Sequence, residues 1–228
     1  MRVSRATLEN HRRAILDAAG RLFRRGGLER VTLAEVTREA GLTHGAFYGH
    51  YPSKTALAEA ACRDSLECAA AKWRVRAAEA RAAGADPVAA LVHRYLTERH
   101  RDEPGGGCAL VALGAELCRG EPGLREALSI GTRALLAVLE EEIAPRRPAL
   151  DPDGRRRAAL ATLAAMAGGL QLARACGPDP ELSREALEAA ALLAVQAADT
   201  AGAPPQPAPP DAPDQPRPAP PPPLPEGP

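Results

Sequence analysis

Apolar residues recur at three- and four-residue intervals along this chain to about residue 200, the spacing of helices with one buried face. The first such stretch predicts a helix from about Thr7 to Arg25. Leu8, Ile15, Ala18, Ala19, Leu22 and Phe23 form its apolar face, and Gly26-Gly27 ends it. A second helix starts at Thr32, which has capping-box spacing to Glu35, with Leu33, Val36 and Ala40 facing inward. Gly41 breaks it, Leu42 follows as an apolar turn residue, and Thr43 is placed to cap a short third helix, roughly 44–50. Pro52-Ser53 separates this from a long fourth helix, from near Lys54 towards Arg81. Downstream, Asp86-Pro87, Glu121-Pro122, Asp151-Pro152 and Asp179-Pro180 each put proline near the start of a helical pattern. Gly105-Gly106-Gly107 precedes another. The predicted helices here are 87–102, 108–119, 122–144, 153–176 and 180–199, which makes about nine in an all-α fold.

Composition agrees with that reading. Of 228 residues, 45% are hydrophobic but only 3% aromatic, so the core must be built from Ala, Leu and Val. That favours close-packed helices over sheets, which draw on β-branched and aromatic residues. Residues 203–228 are different material: 14 of the 26 are Pro, which cannot extend helix hydrogen bonding and leaves little to bury. The expected organisation is a head over 1–53, a helical domain over 54–200 and a Pro-rich disordered tail over 201–228.

Charge and cysteines narrow the setting. Net charge is zero, yet residues 1–54 hold ten Lys/Arg against five Asp/Glu. A basic head on a neutral chain points to a polyanionic partner for that head, although ordinary surface variation produces the same imbalance. Five cysteines, Cys62, Cys68, Cys108, Cys118 and Cys176, are an odd count without C-x-x-C spacing, which fits free thiols in a reducing compartment. No uninterrupted apolar run reaches the ~18 residues that span a bilayer. The N-terminus has no signal-peptide apolar segment, so the expectation is a cytoplasmic protein without a membrane partner.

Two short helices joined by a tight glycine-containing turn form a helix-turn-helix, here over 32–50. Gly41 serves a close turn of positive φ, and Leu42 and Phe47 are spaced to plug the small core. That leaves Thr43, His44, Gly45, Ala46, Tyr48, Gly49 and His50 around the exposed side of the third helix, facing a DNA major groove. Tyr51 is expected to pack on the first helix, and His11 to be a solvated surface residue.

Residues 11–60 resemble the DNA-binding domain of the TetR/AcrR family of regulators. The resemblance rests on Ile15-Leu16 through Phe23, Gly26-Gly27, Thr32-Leu33, Val36, Ala40-Gly41-Leu42, Gly45, Phe47-Tyr48, His50-Tyr51 and Ser53-Lys54. It implies phosphate contacts from Tyr48, His50 and Lys54, and base-facing positions at His44, Gly45 and Ala46. Thr32 and Thr43 sit at helix N-termini, which favour phosphate. Gly45, Ala46 and Gly49 offer little to a base edge, so sequence preference leans on His44, on a thymine methyl against Ala46, and on DNA shape. Arg2 and Arg5 are candidates for an arm contact, or simply a frayed charged terminus.

The resemblance further implies a homodimer on double-stranded DNA, with a helical domain that binds a small-molecule or electrophile effector and releases a repressor from a palindromic operator. The last two helices would form the interface, through Leu160, Leu163, Ala164, Ala167, Gly168, Leu170 and Gln171 and through Leu182, Ala186, Leu187, Ala190, Leu193 and Ala194. The same stripes would also suit an internal core. Trp73, His93, Tyr95, Leu96, Leu110, Leu113, Leu117, Leu135, Leu139, Met166 and Leu170 are candidates to line an effector pocket, or plain core. Cys108 opens a helix after three glycines, a position that lowers a thiol's pKa; it is read either as a reactive thiol or as a small buried residue.

Other classes are poorly supported. The glycine run lacks a following Gly-Lys-Ser/Thr, and no Gly-x-Ser-x-Gly turn or Cys/His metal spacing occurs. An enzyme, a cofactor and a metal site are therefore not expected. A DNA-binding protein indifferent to sequence remains the alternative, distinguished by its lack of preference for a palindromic site.

Overall fold

A computed structural model describes residues 5–200, together with all their side chains except that of His44. The expectations for Arg2, for the His44 side chain and for the Pro-rich tail lie outside the described residues. Ten α-helices follow in order: α1 Arg5–Gly26, α2 Leu33–Glu39, α3 His44–Phe47, α4 Lys54–Ala82, α5 Pro87–Tyr95, α6 Glu98–Asp102, α7 Ala109–Arg119, α8 Pro122–Arg146, α9 Pro152–Ala175 and α10 Pro180–Asp199. A 3-10 turn spans Pro104–Gly106.

The extra helix comes from a break in the expected 87–102 segment. Leu96 leaves the helical region at φ −89°, ψ 76°. The Thr97 hydroxyl then accepts the His100 N–H at 3.1 Å and starts α6 afresh. Periodicity alone does not show such a break, because the apolar spacing runs on through it. In α8 the helix continues past 144 and takes Pro145 into its last turn.

The head is α1, α2 and α3 against the start of α4. α1 buries Ile15, Leu16, Ala18, Ala19 and Phe23, but Leu8 is 45% exposed and does not join the apolar face expected of it. Gly27 (φ +83°) closes α1, and Gly41 (φ +69°) makes the turn between α2 and α3, both in the left-handed region that glycine reaches without strain.

The long helix α4 is the shared wall. Its 29 residues extend about 43 Å at 1.5 Å per residue, so its first turns touch the head and its remainder packs on α8. The two helices approach closely: a Cβ on Gly131 of α8 would fall 2.5 Å from the Leu66 Cβ. α9 and α10 approach as closely, with a Cβ on Gly169 falling 2.0 Å from the Ala190 Cβ. α9 is by length and hydropathy sufficient to cross a membrane, although polar residues interrupt its apolar run. Here it packs on α8 and α10 and buries Leu163, Met166 and Leu170, as a core helix does.

Candidate nucleic-acid interface

The helix-turn-helix is held by local chemistry. The Glu35 backbone N–H donates to the Thr32 hydroxyl at 3.2 Å, and the Thr32 backbone N–H donates to the Glu35 carboxylate at 2.7 Å, completing the expected capping box. Those bonds hold the Glu35 carboxyl below its ordinary pKa. In the turn, the Leu42 N–H donates to the Thr37 carbonyl at 2.8 Å. Phe47 is fully buried, stacked on the buried Tyr51 at 6.1 Å and edge-on to Tyr48 at 5.1 Å. The Arg12 guanidinium lies over the Tyr51 ring at 5.8 Å, so Tyr51 packs on α1 as expected. Ser53 caps α4, its hydroxyl accepting the Ala56 N–H at 3.0 Å.

Five of the nine expected contact residues are exposed, Thr32 among them. Thr43, Gly45 and Gly49 are exposed, and Tyr48 is 60% exposed. A Cβ on Gly45 would meet nothing within 4 Å, so that backbone is approachable. Ala46 and His50 are half-buried, and the His50 ring meets His11 edge-on at 6.2 Å. His11 is thus half-buried against α3's exit and not a solvated residue, because α1 passes beside that turn. Thr43 precedes α3, but its side chain makes no capping bond; the short helix is closed by the Ala46 N–H to Thr43 carbonyl bond at 3.0 Å. The Lys54 ammonium donates to the Glu29 carbonyl at 3.1 Å, which uses one of its three N–H donors. Arg5 is exposed at the start of α1.

The sequence reading missed the residues that fasten this head to the rest. Arg24, on α1, donates to the Gly105 carbonyl at 3.0 and 2.7 Å and to the Ser65 hydroxyl. Burial lowers its pKa, although guanidinium stays charged. The Leu28 N–H donates to the Glu116 carboxylate of α7 at 2.7 Å. The Gly105-Gly106-Gly107 run is therefore a docking segment for α1: a Cβ on Gly105 would lie 3.4 Å from the Arg21 carbonyl oxygen.

The expected pocket residues scatter. His93 is exposed on α5 and lines nothing internal, because the inward face of that helix is taken by Val88, Leu91, Val92 and Tyr95. Trp73 is half-buried, edge-on to Tyr95 at 5.9 Å. Tyr95, Leu96, Cys108, Leu113, Leu117, Leu135, Leu139, Met166 and Leu170 are buried side chains of the core, and Leu110 is packed against it. A cleft of about 380 Å³ lies elsewhere, against Cys118, Arg125, Leu128, Arg133, Leu136 and Arg156. The interface stripes divide as well. Leu163, Leu170, Ala186, Leu187, Ala190 and Ala194 are core, whereas Leu160, Ala164, Gly168, Gln171, Leu182 and Leu193 face outward.

A helix-turn-helix head with an exposed third helix, set on a seven-helix body, defines the class of protein among the described residues. Residues 15–61 match the family described as bacterial regulatory proteins, tetR family. The chain is 46% identical over 48 residues to the A-factor receptor protein of Streptomyces griseus, covering 21% of this chain and 17% of that one. It is 37% identical over 60 residues to the HTH-type transcriptional regulator TtgR of Pseudomonas putida, covering 26% and 29%. These matches therefore span under a third of the relatives' lengths. In fold, a TetR-family regulator from Cytophaga hutchinsonii superposes with a TM-score of 0.66 at 20% identity, over 86% of this chain and 98% of that one. The head thus matches the DNA-binding region of the TetR family, and the described residues share the fold of solved regulators of that family.

Proposed function

We propose that the chain is a ligand-responsive transcriptional regulator that binds a palindromic operator as a homodimer and is released from it by a small-molecule or electrophile effector. The observation that carries this reading is the open surface of α3: Thr43, Gly45, Tyr48 and Gly49 exposed together, with Lys54 at the start of the next helix. Tyr48 and Lys54 suit phosphate contacts, and the bare backbone at Gly45 allows close approach to a groove. Thr32, Ala46 and His50 complete the contact surface, joined by His44. DNA of this kind lies in the cytoplasm, and the protein acts there as a non-enzymatic binder.

The dimer is supported by an apolar strip on α9 and α10. Leu160 (46%), Leu172 (55%), Leu182 (47%), Leu192 (68%) and Leu193 (57%) are all exposed large hydrophobics. Helices with both an inner and an outer apolar face bury the outer one against a copy of themselves. Release follows if the effector favours a body conformation that moves the heads off register with successive major grooves. α4 joins body to head and is the natural lever.

The test is duplex affinity, using a site selected by the protein from random-sequence DNA. Replacing Tyr48 and Lys54 together by Ala should weaken binding about tenfold or more at moderate salt, and lower the salt slope by about one phosphate contact. Helicity should stay unchanged, since neither side chain is buried in the core. Unchanged affinity would refute the assignment. Equal affinity for random duplex would favour the sequence-indifferent alternative.

A further inference from the structure

The cleft beside α8 has the chemistry of an anion site, and neither the fold nor the helix-turn-helix requires it. Arg125, Leu128, Ser129, Thr132, Arg133 and Leu136 recur at three- and four-residue spacing, so they form one continuous face of α8. The adjoining face, with Leu124, Ala127, Gly131 and Leu135, is buried in the body. Cys118 closes the cleft from the last turn of α7, and Arg156 from the first turns of α9.

Three arginines line the cleft, Arg125 and Arg133 exposed and Arg156 half-buried, together with Leu128 and the buried Leu136. Arg156 is held by the Glu140 carboxylate at 2.6 Å, one turn further along the same face. Among the described residues, no carboxylate lies within ion-pairing distance of Arg125 or Arg133. Guanidinium groups bind carboxylates and phosphates through paired N–H donors, and the Ser129 and Thr132 hydroxyls add donors beside them. The cleft is an open depression of about 380 Å³, with Leu128 and Leu136 as its apolar part.

We infer that this cleft binds a small amphipathic organic anion, its carboxylate or phosphate head on Arg125 and Arg133 and its apolar body against Leu128 and Leu136. This deepens the ligand-responsive reading and rests on it only for the word effector; binding itself stands apart. The cleft also has a route to the head. Cys118 lies two residues from Glu116, whose carboxylate holds the Leu28 N–H, so a shift in the last turn of α7 reaches the end of α1.

Cys118 is the exposed cysteine among the five and reports on occupancy. Its rate of alkylation should be followed by mass spectrometry on the full chain, with octanoate, octyl phosphate or octanol as probes and no DNA present. Octanoate or octyl phosphate should slow Cys118 labelling about fivefold or more at saturation, with octanol much less effective. In Arg125→Gln/Arg133→Gln that protection should disappear while helicity is kept. Whichever anion protects at lower concentration identifies the head group. Equal protection by octanol, protection retained in the double variant, or no protection by either anion would overturn the site. Because duplex is absent, that failure leaves the DNA reading untouched, and loss of DNA binding would leave the anion site untouched.

Discussion

The Leu28 backbone N–H and the Glu116 carboxylate meet at 2.7 Å across 88 residues of chain, joining the end of α1 to α7. Leu28 lies two residues past the end of α1, and its N–H is satisfied by a carboxylate from the body and not by the helix. The head is thereby fixed to the helix that also borders the arginine cleft. Replacing Glu116 by Ala should cost about 1–2 kcal/mol in denaturant unfolding, since a charged acceptor is lost from a half-buried donor. Gln should recover part of that loss. A stability equal to wild type in both variants would mean the link carries no energy.

Stability should fall as pH drops below the ordinary histidine value of 6.5. His100 Nε2 accepts the Cys108 N–H at 2.9 Å, so Nδ1 carries the proton and donates to the Tyr95 carbonyl at 2.7 Å. Burial lowers the His100 pKa, and Arg174 and Arg94 nearby act in the same direction. The unfolded chain therefore binds a proton that the folded one refuses. His100's contribution is complete above 6.5 and is lost as pH falls through the depressed folded value. Unfolding midpoints between pH 7.5 and 5 should show this, and His100→Gln should flatten the curve. An equal slope in the variant would exclude His100 as its source.

Gly169→Ala should destabilise by roughly 1–3 kcal/mol, because its methyl would overlap the Ala190 side chain and force α9 and α10 apart. Gly168 has open space on its outward side, and a methyl there meets nothing within 4 Å. Gly168→Ala should leave the fold at least as stable, by the ordinary helix preference of Ala. Thermal unfolding of both variants checks the contrast; similar midpoints would mean the two helices have slack.

Leu172→Glu with Leu192→Glu should convert the proposed dimer to monomer without loss of helicity. Both side chains are more than half exposed in the single chain, so folding does not use them, whereas burying two carboxylates in an interface is costly. Sedimentation or light scattering at micromolar concentration gives the answer. Unchanged mass would move the interface elsewhere.

Alkylation should rank the cysteines by exposure, Cys118 first. Cys62 is 2% exposed and burial pushes its thiol up to about 11, so it should label last. Cys108, 7% exposed between α6 and α7, should also be slow. Rapid Cys108 labelling would revive the reactive-thiol reading of that residue.

Local features were legible without coordinates, and for a definite reason. The Thr32–Glu35 capping box and the positive-φ glycines at 27 and 41 act within a few residues, so their cause lies beside them in the chain. Phe47 was legible as core from its spacing to Leu42 across the short turn and helix. Leu96–Thr97 was not legible as a break, since nothing in the apolar spacing marks Thr97 as a new cap.

The order of residues determined helices along the described residues and a helix-turn-helix at the head, on which the proposed DNA contacts rest, because helix periodicity, caps and turn glycines are short-range effects. Tertiary packing alone decided which leucines of α9 and α10 face inward, since Leu163 and Leu160 differ only in what stands opposite them. It also decided that Arg24 and Glu116 tie head to body, and that three arginines from two helices share one cleft. These are meetings of residues far apart in the chain, set by how close the helix axes come, and no window along a single strand of sequence contains that distance.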